Sequence, residues 1–235
     1  MKKRFLILTL SSFAVATTTV AQIAATSQGF RNVEMLAGWG FVNESSPLGE
    51  TNWFQGDGNI FISQSGFGNA YIAANHRNTG GEAGNPGIIC NYIIMPDVGE
   101  LSNVSFYTRS TVANNNFSIF PDRMYMVFSP TGGIETGNCT DDFGDFTETL
   151  LVINPDLTQD ANSPDSYPIG NWLQFSSEIN GPGRVAFVYY VDDAGFFGSN
   201  SNFVGVDTVE WVLAETENET VEKAMIDSKK SLLLR

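Results

Sequence analysis

Apolar and polar positions alternate along most of this chain, and clusters of Gly, Asn, Ser, Asp and Pro interrupt them at short intervals. The clearest run is Leu101–Ser110, where Val104, Phe106 and Thr108 alternate with Ser105, Tyr107 and Arg109, the period of a half-buried strand. In Gly183–Val191 both sets are apolar: Val185, Phe187, Tyr189 and Val191 on one side, Ala186, Val188 and Tyr190 on the other. That pattern predicts a central strand covered on both faces. Met124–Ser129 starts after Pro121-Asp122 and stops before Gly132-Gly133, bounded by turn chemistry at both ends. The same reading predicts strands over Arg31–Leu36, Asn59–Ser63, Ala70–Ala74, Ile88–Met95, Thr147–Asn154, Asn171–Ile179 and Asn202–Leu213. Strands at this spacing, with no helical period between them, predict an all-β sandwich or barrel.

The two ends read differently. Lys2, Lys3 and Arg4 precede an apolar run, Phe5 to Ala16, and Thr19-Val20-Ala21 supplies small residues, so residues 1–21 are expected to be a signal peptide. Residues 22–29 read as a polar leader, 30–213 as the sandwich, and 214–235 as a polar C-terminal tail. In the tail, Val221, Met225 and Ser228 recur at helical spacing. No later stretch reaches the ~20 apolar residues of a membrane span. The expected location is secreted or at the cell surface, with no integral membrane span once the signal is removed.

Charge narrows the partners. The formal net charge is −14, with 26 acidic against 12 basic residues. Removal of Lys2, Lys3 and Arg4 takes it to −17. Nucleic acid, whose phosphates need Lys and Arg, is not an expected partner. Aromatic residues make up 12% of the chain, enough to build a large core and to leave rings over for a ligand. Cys90 and Cys139 are the only cysteines; in an oxidising compartment they can form one disulfide, or remain two buried thiols.

Candidate chemistry is sparse. His76 is the only histidine, flanked by Asn75 and Arg77 with no nucleophile motif nearby, so it reads as a solvated loop residue. Asp142-Phe143-Gly144 has the letters of a kinase signature without an ATP loop and reads as a turn. A glycoside hydrolase needs two carboxylates facing across a cleft. Asp192-Asp193 are adjacent, and on a strand would point to opposite faces. No catalytic residue is assigned. Arg109 and Arg123 are expected to pair structurally with carboxylates such as Asp122, with binding of a ligand carboxylate as the minor alternative.

Rings in turn-rich segments are the candidate ligand contacts. Phe196 and Phe197 sit in the loop GFFGSNSN, and adjacent residues of a strand cannot both point inward. Trp53 and Phe54 join them as candidates, with plugging of the sandwich ends as the alternative for Trp53 and Trp39. Asp207 shares a strand register with Phe203, Val209 and Trp211, and Glu34 shares one with Leu36. A carboxylate in an apolar register is hydrogen-bonded, paired or metal-bound. One reading places Glu34 and Asp207 together as ligands of a structural calcium, oxygen donors suiting that ion; the other leaves each a hydrogen-bonded carboxylate.

Several runs together resemble the choice-of-anchor J family of bacterial exported proteins, a relative of the cleaved-adhesin domains. They are GWGFVNESSPLGETNWFQG at 38–56, NAYIAANHRNTGG at 69–81, CNYIIMPDV at 90–98, PDRMYMVFSPTGG at 121–133, GDFTETLLVINPDLT at 144–158 and GRVAFVYYVDDAGFFGSNSNFVGVDTVEW at 183–211. The resemblance implies a jelly-roll β-sandwich of two antiparallel sheets, bacterial, exported, and used for adhesion or ligand binding through a glycan or surface protein rather than for catalysis. It also brings in the calcium, since related jelly rolls often carry one joining the first and last strands. Cys90 and Cys139 stand outside the family's core pattern. The other function classes kept open are a structural envelope component and a glycan hydrolase.

Overall fold

The computed structural model describes residues 27–111, 120–160 and 162–214. The expected signal peptide, most of the leader and the tail after Ala214 lie outside the described residues. Twelve strands are present among those described: β1 Ser27–Gln28, β2 Gly40–Asn43, β3 Phe54–Gln55, β4 Ile72–Asn75, β5 Gly81–Glu82, β6 Asn85–Ile94, β7 Glu100–Ser110, β8 Met124–Ser129, β9 Glu148–Ile153, β10 Leu173–Pro182, β11 Arg184–Ala194 and β12 Phe203–Leu213. One sheet runs β10-β7-β12-β4-β3, with β1 also on β12; the other runs β2-β6-β11-β8-β9, with β5 on β6. Every strand pair in both sheets is antiparallel. From β6 onward the chain alternates between sheets, pausing only at the β8–β9 hairpin, which is the winding of a jelly-roll sandwich.

The core lies between the sheets. Phe106 of β7 and Phe187 of β11 meet with ring centroids 4.6 Å apart, joined by Val104, Met126, Val185, Tyr189, Val206 and Trp211. As the two-sided pattern of β11 predicts, its other face is covered too. Ala186 and Val188 pack with Tyr92, Val127 and Phe146 beneath the segment that carries Cys139. A disulfide joins Cys90 on β6 to Cys139, with Cα atoms 5.8 Å apart, and ties that covering segment to the outer face of its sheet. The outer face of the first sheet carries a third cluster, Phe61, Tyr71, Ala73 and Phe203, under the loop that joins β3 to β4.

Two expected strands are not strands. In place of Arg31–Leu36 there is a 3-10 turn, Val33–Met35, in which the Asn32 side chain accepts the Glu34 N–H over 3.1 Å. In place of Asn59–Ser63, Asp57 bonds the Asn59 N–H and side-chain amide over 2.8 and 2.9 Å. Asn and Asp side chains offer the backbone local partners that compete with a sheet ladder. Conversely, β1, β2, β3 and β5 are too short to show an alternation in sequence.

Candidate functional site

The loop after β11 is built to hold two aromatic rings in solvent. Its base is fixed from both sides: Asn200 donates its N–H to the Asp193 carbonyl over 3.0 Å and its amide to the Asp192 carbonyl over 2.8 Å. Gly198 N–H closes on the Gly195 carbonyl, the Gly195 N–H reaches Ser201 Oγ over 3.1 Å, and the Ser201 N–H reaches the Pro121 carbonyl. Gly195 has φ +91°, and a Cβ there would stand 2.9 Å from the Gly80 carbonyl oxygen, so the loop packs directly on the Thr79–Gly80 backbone. The result is a rigid mount on which Phe196 is 80% exposed and Phe197 51% exposed, their rings edge-to-face at 5.1 Å. Two adjacent exposed phenylalanines on an ordered loop have a desolvation gain waiting for a partner.

Beside Phe196 opens a cleft of about 380 Å³. Its walls are Leu48, Glu50, His76, Arg77, Thr79 and Phe196, and its floor is the backbone of Gly49, Gly80 and Gly81. The turn-rich run 46–51 is stitched to the 3-10 turn His76–Asn78 by three backbone bonds, among them Glu50 N–H to the Arg77 carbonyl at 2.9 Å, and to Gly80 just after it by a fourth, Gly80 N–H to the Pro47 carbonyl at 2.8 Å. Gly49 is required, because a Cβ there would fall 2.1 Å from the Arg77 carbonyl oxygen. The 3-10 turn is itself capped, Asn75 and Asn78 exchanging side-chain and backbone bonds. Leu48 is 66% exposed, so the cleft has apolar surface at both lips.

The charged groups of the cleft are loosely held, while the Thr79 hydroxyl donates to the Pro47 carbonyl over 2.8 Å. Arg77 and Glu50 face each other at 3.7 Å, both well exposed, a pair too loose and too wet to hold either side chain firmly. Half-burial, and then the charge of Arg77, lower the His76 pKa below its ordinary value, so the imidazole is neutral at pH 7 and offers one donor and one acceptor. Apolar lips, a glycine floor and a mixed donor–acceptor wall can hold a ring with one C–H face and several hydroxyls. Among the lining residues Glu50 is the one carboxylate, whereas glycoside hydrolysis uses two. His76, read from sequence as a solvated loop residue, is a wall of this cleft. Leu48, Glu50 and Arg77 had no sequence signal beyond their place in turn-rich runs.

The remaining candidates fall elsewhere. Trp53 is buried in the core, its ring 6.3 Å from that of Tyr189, and does not reach a ligand. Phe54 is half-buried on β3 and packs edge-to-face on Phe203. Trp39 packs edge-to-face on Phe30 in the core's margin. Arg123 pairs with Asp192 at 2.6 Å rather than with Asp122, and also bonds the carbonyls of Tyr190 and Pro155. Arg109 meets no carboxylate among the described residues; it lies over aromatic rings instead. The residues Asp142-Phe143-Gly144 lie in the turn segment before β9, where Asp142 Oδ1 accepts the Gly144 N–H.

Glu34 and Asp207 have different surroundings. Glu34 is exposed on its 3-10 turn, outside any strand pairing. Asp207 is fully buried, and its apolar register is an illusion of a β-bulge: Thr208 sits at φ 47°, so Phe203 and Asp207 face out of the sheet while Val209 and Trp211 face in. Its Oδ2 accepts the N–H groups of Gln64 and Ser65 at 2.9 and 3.1 Å, and Oδ1 that of Thr208 at 2.7 Å. Asp207 is thus a carboxylate hydrogen-bonded by three backbone N–H groups. No group of three or more potential metal ligands occurs among the described residues.

Solved structures similar to this chain include two cleaved adhesin domains of Lys-gingipain from Porphyromonas gingivalis. One is 17% identical with a TM-score of 0.48, the other 16% identical with 0.49, and each match covers 80% of this chain and 98% of the domain. A family 11 carbohydrate-binding module from Clostridium thermocellum, solved with a β-1,3-1,4-mixed-linked tetrasaccharide, is similar at 13% identity and a TM-score of 0.40, covering 81% of this chain and 98% of the module. No protein-family model matches the chain, and no curated protein does. The choice-of-anchor J resemblance therefore rests on the quoted runs. Identities and scores this low transfer no residue role, and the chemistry of the site has to come from this chain's own side chains. No helix among the described residues is long and apolar enough to cross a membrane.

Proposed function

We propose that this protein is a non-enzymatic, exported binding module that takes a glycan in the cleft beside Phe196. The observation that carries the reading is the pairing of an 80% exposed ring on a hydrogen-bonded loop with a 380 Å³ cleft whose charged walls, Glu50 and Arg77, are held only by a loose, exposed ion pair. A pyranose offers a C–H face to Phe196 and hydroxyls to Glu50, Arg77 and neutral His76; stacking plus a few placed hydrogen bonds is how such shallow sites gain affinity. Backbone at the floor lets the sugar approach without a side chain intervening. Export accords with the charged-then-apolar N-terminus and with the disulfide, which persists in oxidising compartments. A glycan array probed with the full chain and with Phe196→Ala tests it. Binding to a defined set of sugars, lost in the variant, is the expected result. Binding that survives the variant places the ligand elsewhere, and release of reducing sugar would make the protein a hydrolase.

A further inference from the structure

Among the described residues Arg109 is a cation without a hydrogen bond. It projects from β7 onto the outer face of the first sheet, opposite Gly205 of β12. Its guanidinium carbon lies 4.2 Å from the centre of the Phe61 ring and 5.9 Å from that of Trp172. None of its five N–H groups meets an acceptor among the described residues. The Nε is buried without a partner, whereas the two Nη nitrogens, equally unbonded, reach solvent. The contrast with Arg123 is direct. Arg123 is similarly flanked by aromatic rings, yet spends its donors on a carboxylate and two carbonyls. In a chain of net charge −14, a half-buried arginine left without any carboxylate is not explained by packing.

The frame around it is stiff. Trp172 donates its indole N–H to the Ile62 carbonyl over 2.9 Å, which fixes the ring. Phe61 is stacked on Tyr71 at 4.8 Å, and the Tyr71 hydroxyl is bonded to the Asp57 backbone in both directions, at 2.8 and 3.0 Å. Both rings that flank the guanidinium are therefore held independently of it. Burial lowers the Arg109 pKa, the sign of a charge poorly solvated as it stands. Cation–π contact offsets part of that cost but leaves the donors idle.

We propose that Arg109 is a receptor for a single carboxylate, that of an acidic sugar residue at the end of a saccharide, held end-on by the two Nη groups beside Trp172. The fork geometry of a guanidinium matches a carboxylate with two parallel bonds. A polyanion is disfavoured by charge: it needs a row of cations, and the chain as a whole carries a net charge of −14. One carboxylate on an otherwise neutral ligand meets one arginine without facing the rest of the field. Trp172, partly exposed beside the guanidinium, offers an aromatic ring to the C–H surface of a pyranose, whereas Phe61 is buried and serves to hold the guanidinium. This site is independent of the Phe196 cleft, and either can fail without the other.

The test is calorimetric titration of the full chain with a glucuronic-acid-terminated disaccharide, its methyl ester, and a neutral peptide whose only anionic group is its C-terminal carboxylate. The acid is expected to bind at least tenfold more tightly than the ester. Arg109→Met should abolish that difference while leaving the melting temperature unchanged or higher, since it removes an unpaired half-buried charge. Phe196→Ala should leave the binding of the acid intact. Equal affinity for acid and ester, or retention of the preference in Arg109→Met, overturns the site. Binding of the peptide as tight as that of the acid overturns the assignment to a saccharide. A variant that loses folding along with binding shows Arg109 to be structural and also overturns it, with Arg109→Lys then expected to restore both.

Discussion

Tyr189 donates its hydroxyl to Asp122 across 2.5 Å in the fully buried interior. Ser110 Oγ reaches the other carboxylate oxygen at 2.6 Å, and the Asn202 N–H reaches the first at 2.8 Å. One side chain thus ties the end of β7, the middle of β11 and the start of β12. Asn202 closes the Phe196 loop, so Asp122 also sets where that loop leaves the sandwich.

That carboxyl predicts a pH dependence. Burial raises the Asp122 pKa to about 6, outweighing the bonds from Ser110, Tyr189 and Asn202, which pull it down. Asp207 is likewise raised to about 6 by burial, against the three N–H groups that favour its charged form. In the unfolded chain both titrate near 3.8. A raised folded pKa means the native state holds the proton more tightly, so this contribution is fully present below about pH 4 and is lost as pH rises through about 6. For Asp122 the loss is on the order of 3 kcal/mol by pH 7. Chemical denaturation should show stability falling from pH 4.5 to 7, and Asp122→Asn should flatten the slope. A stability that rises over this window would contradict the account.

The disulfide closes a loop with a sequence separation of 49 and holds a covering segment on a sheet face. Chain-entropy arguments give about 2–5 kcal/mol for its removal. Cys90→Ala with Cys139→Ala should lower the denaturation midpoint accordingly. The double variant should also bind a hydrophobic dye, because Tyr92, Val127 and Phe146 lose their cover. A variant as stable as the parent, with no dye signal, would show that the segment is held by packing alone.

Asp207→Asn should cost about 1–3 kcal/mol, because an amide presents N–H groups of its own to the donors of Gln64, Ser65 and Thr208. The loss should be the same in chelator and in millimolar calcium, since the carboxylate's partners are backbone groups. Thermal melts of both proteins in both conditions decide this; a calcium-dependent gain confined to the parent would restore the ion.

The alternation of strand-like runs and turn clusters located β4 and β6 to β12, because strands with a covered face carry apolar side chains over several residues. The two-sided burial of β11 was legible for the same reason. The short strands were not, nor was the bulge at Thr208, which depends on a φ of 47° that nothing in Asp-Thr-Val announces. Adjacent phenylalanines marked the Phe196 loop. The cleft wall was hidden because Leu48, Glu50 and Arg77 come together only through bonds between two turn segments about thirty residues apart. Arg109 was expected to pair with an acid, a sound prior for an arginine on a strand, and only the structure shows the acid missing.

Trp53 and Phe196 are both aromatic residues from turn-rich runs, and the structure gives them opposite roles. Trp53 is 6% exposed and packs on Tyr189 between the sheets, although its indole N–H has no partner among the described residues. Trp53→Ala removes a large buried ring and should cost about 3–5 kcal/mol, with residual ligand binding by whatever fraction stays folded. Among the described residues Phe196 makes its one ring contact with Phe197, and it is 80% exposed. Phe196→Ala should change stability by no more than about 0.5 kcal/mol while binding at the cleft is lost. Denaturant melts and glycan titrations on the two variants separate the roles. If Phe196→Ala destabilised the fold as Trp53→Ala does, the loop would be a structural clamp, and the cleft beside it would lose its claim to a ligand.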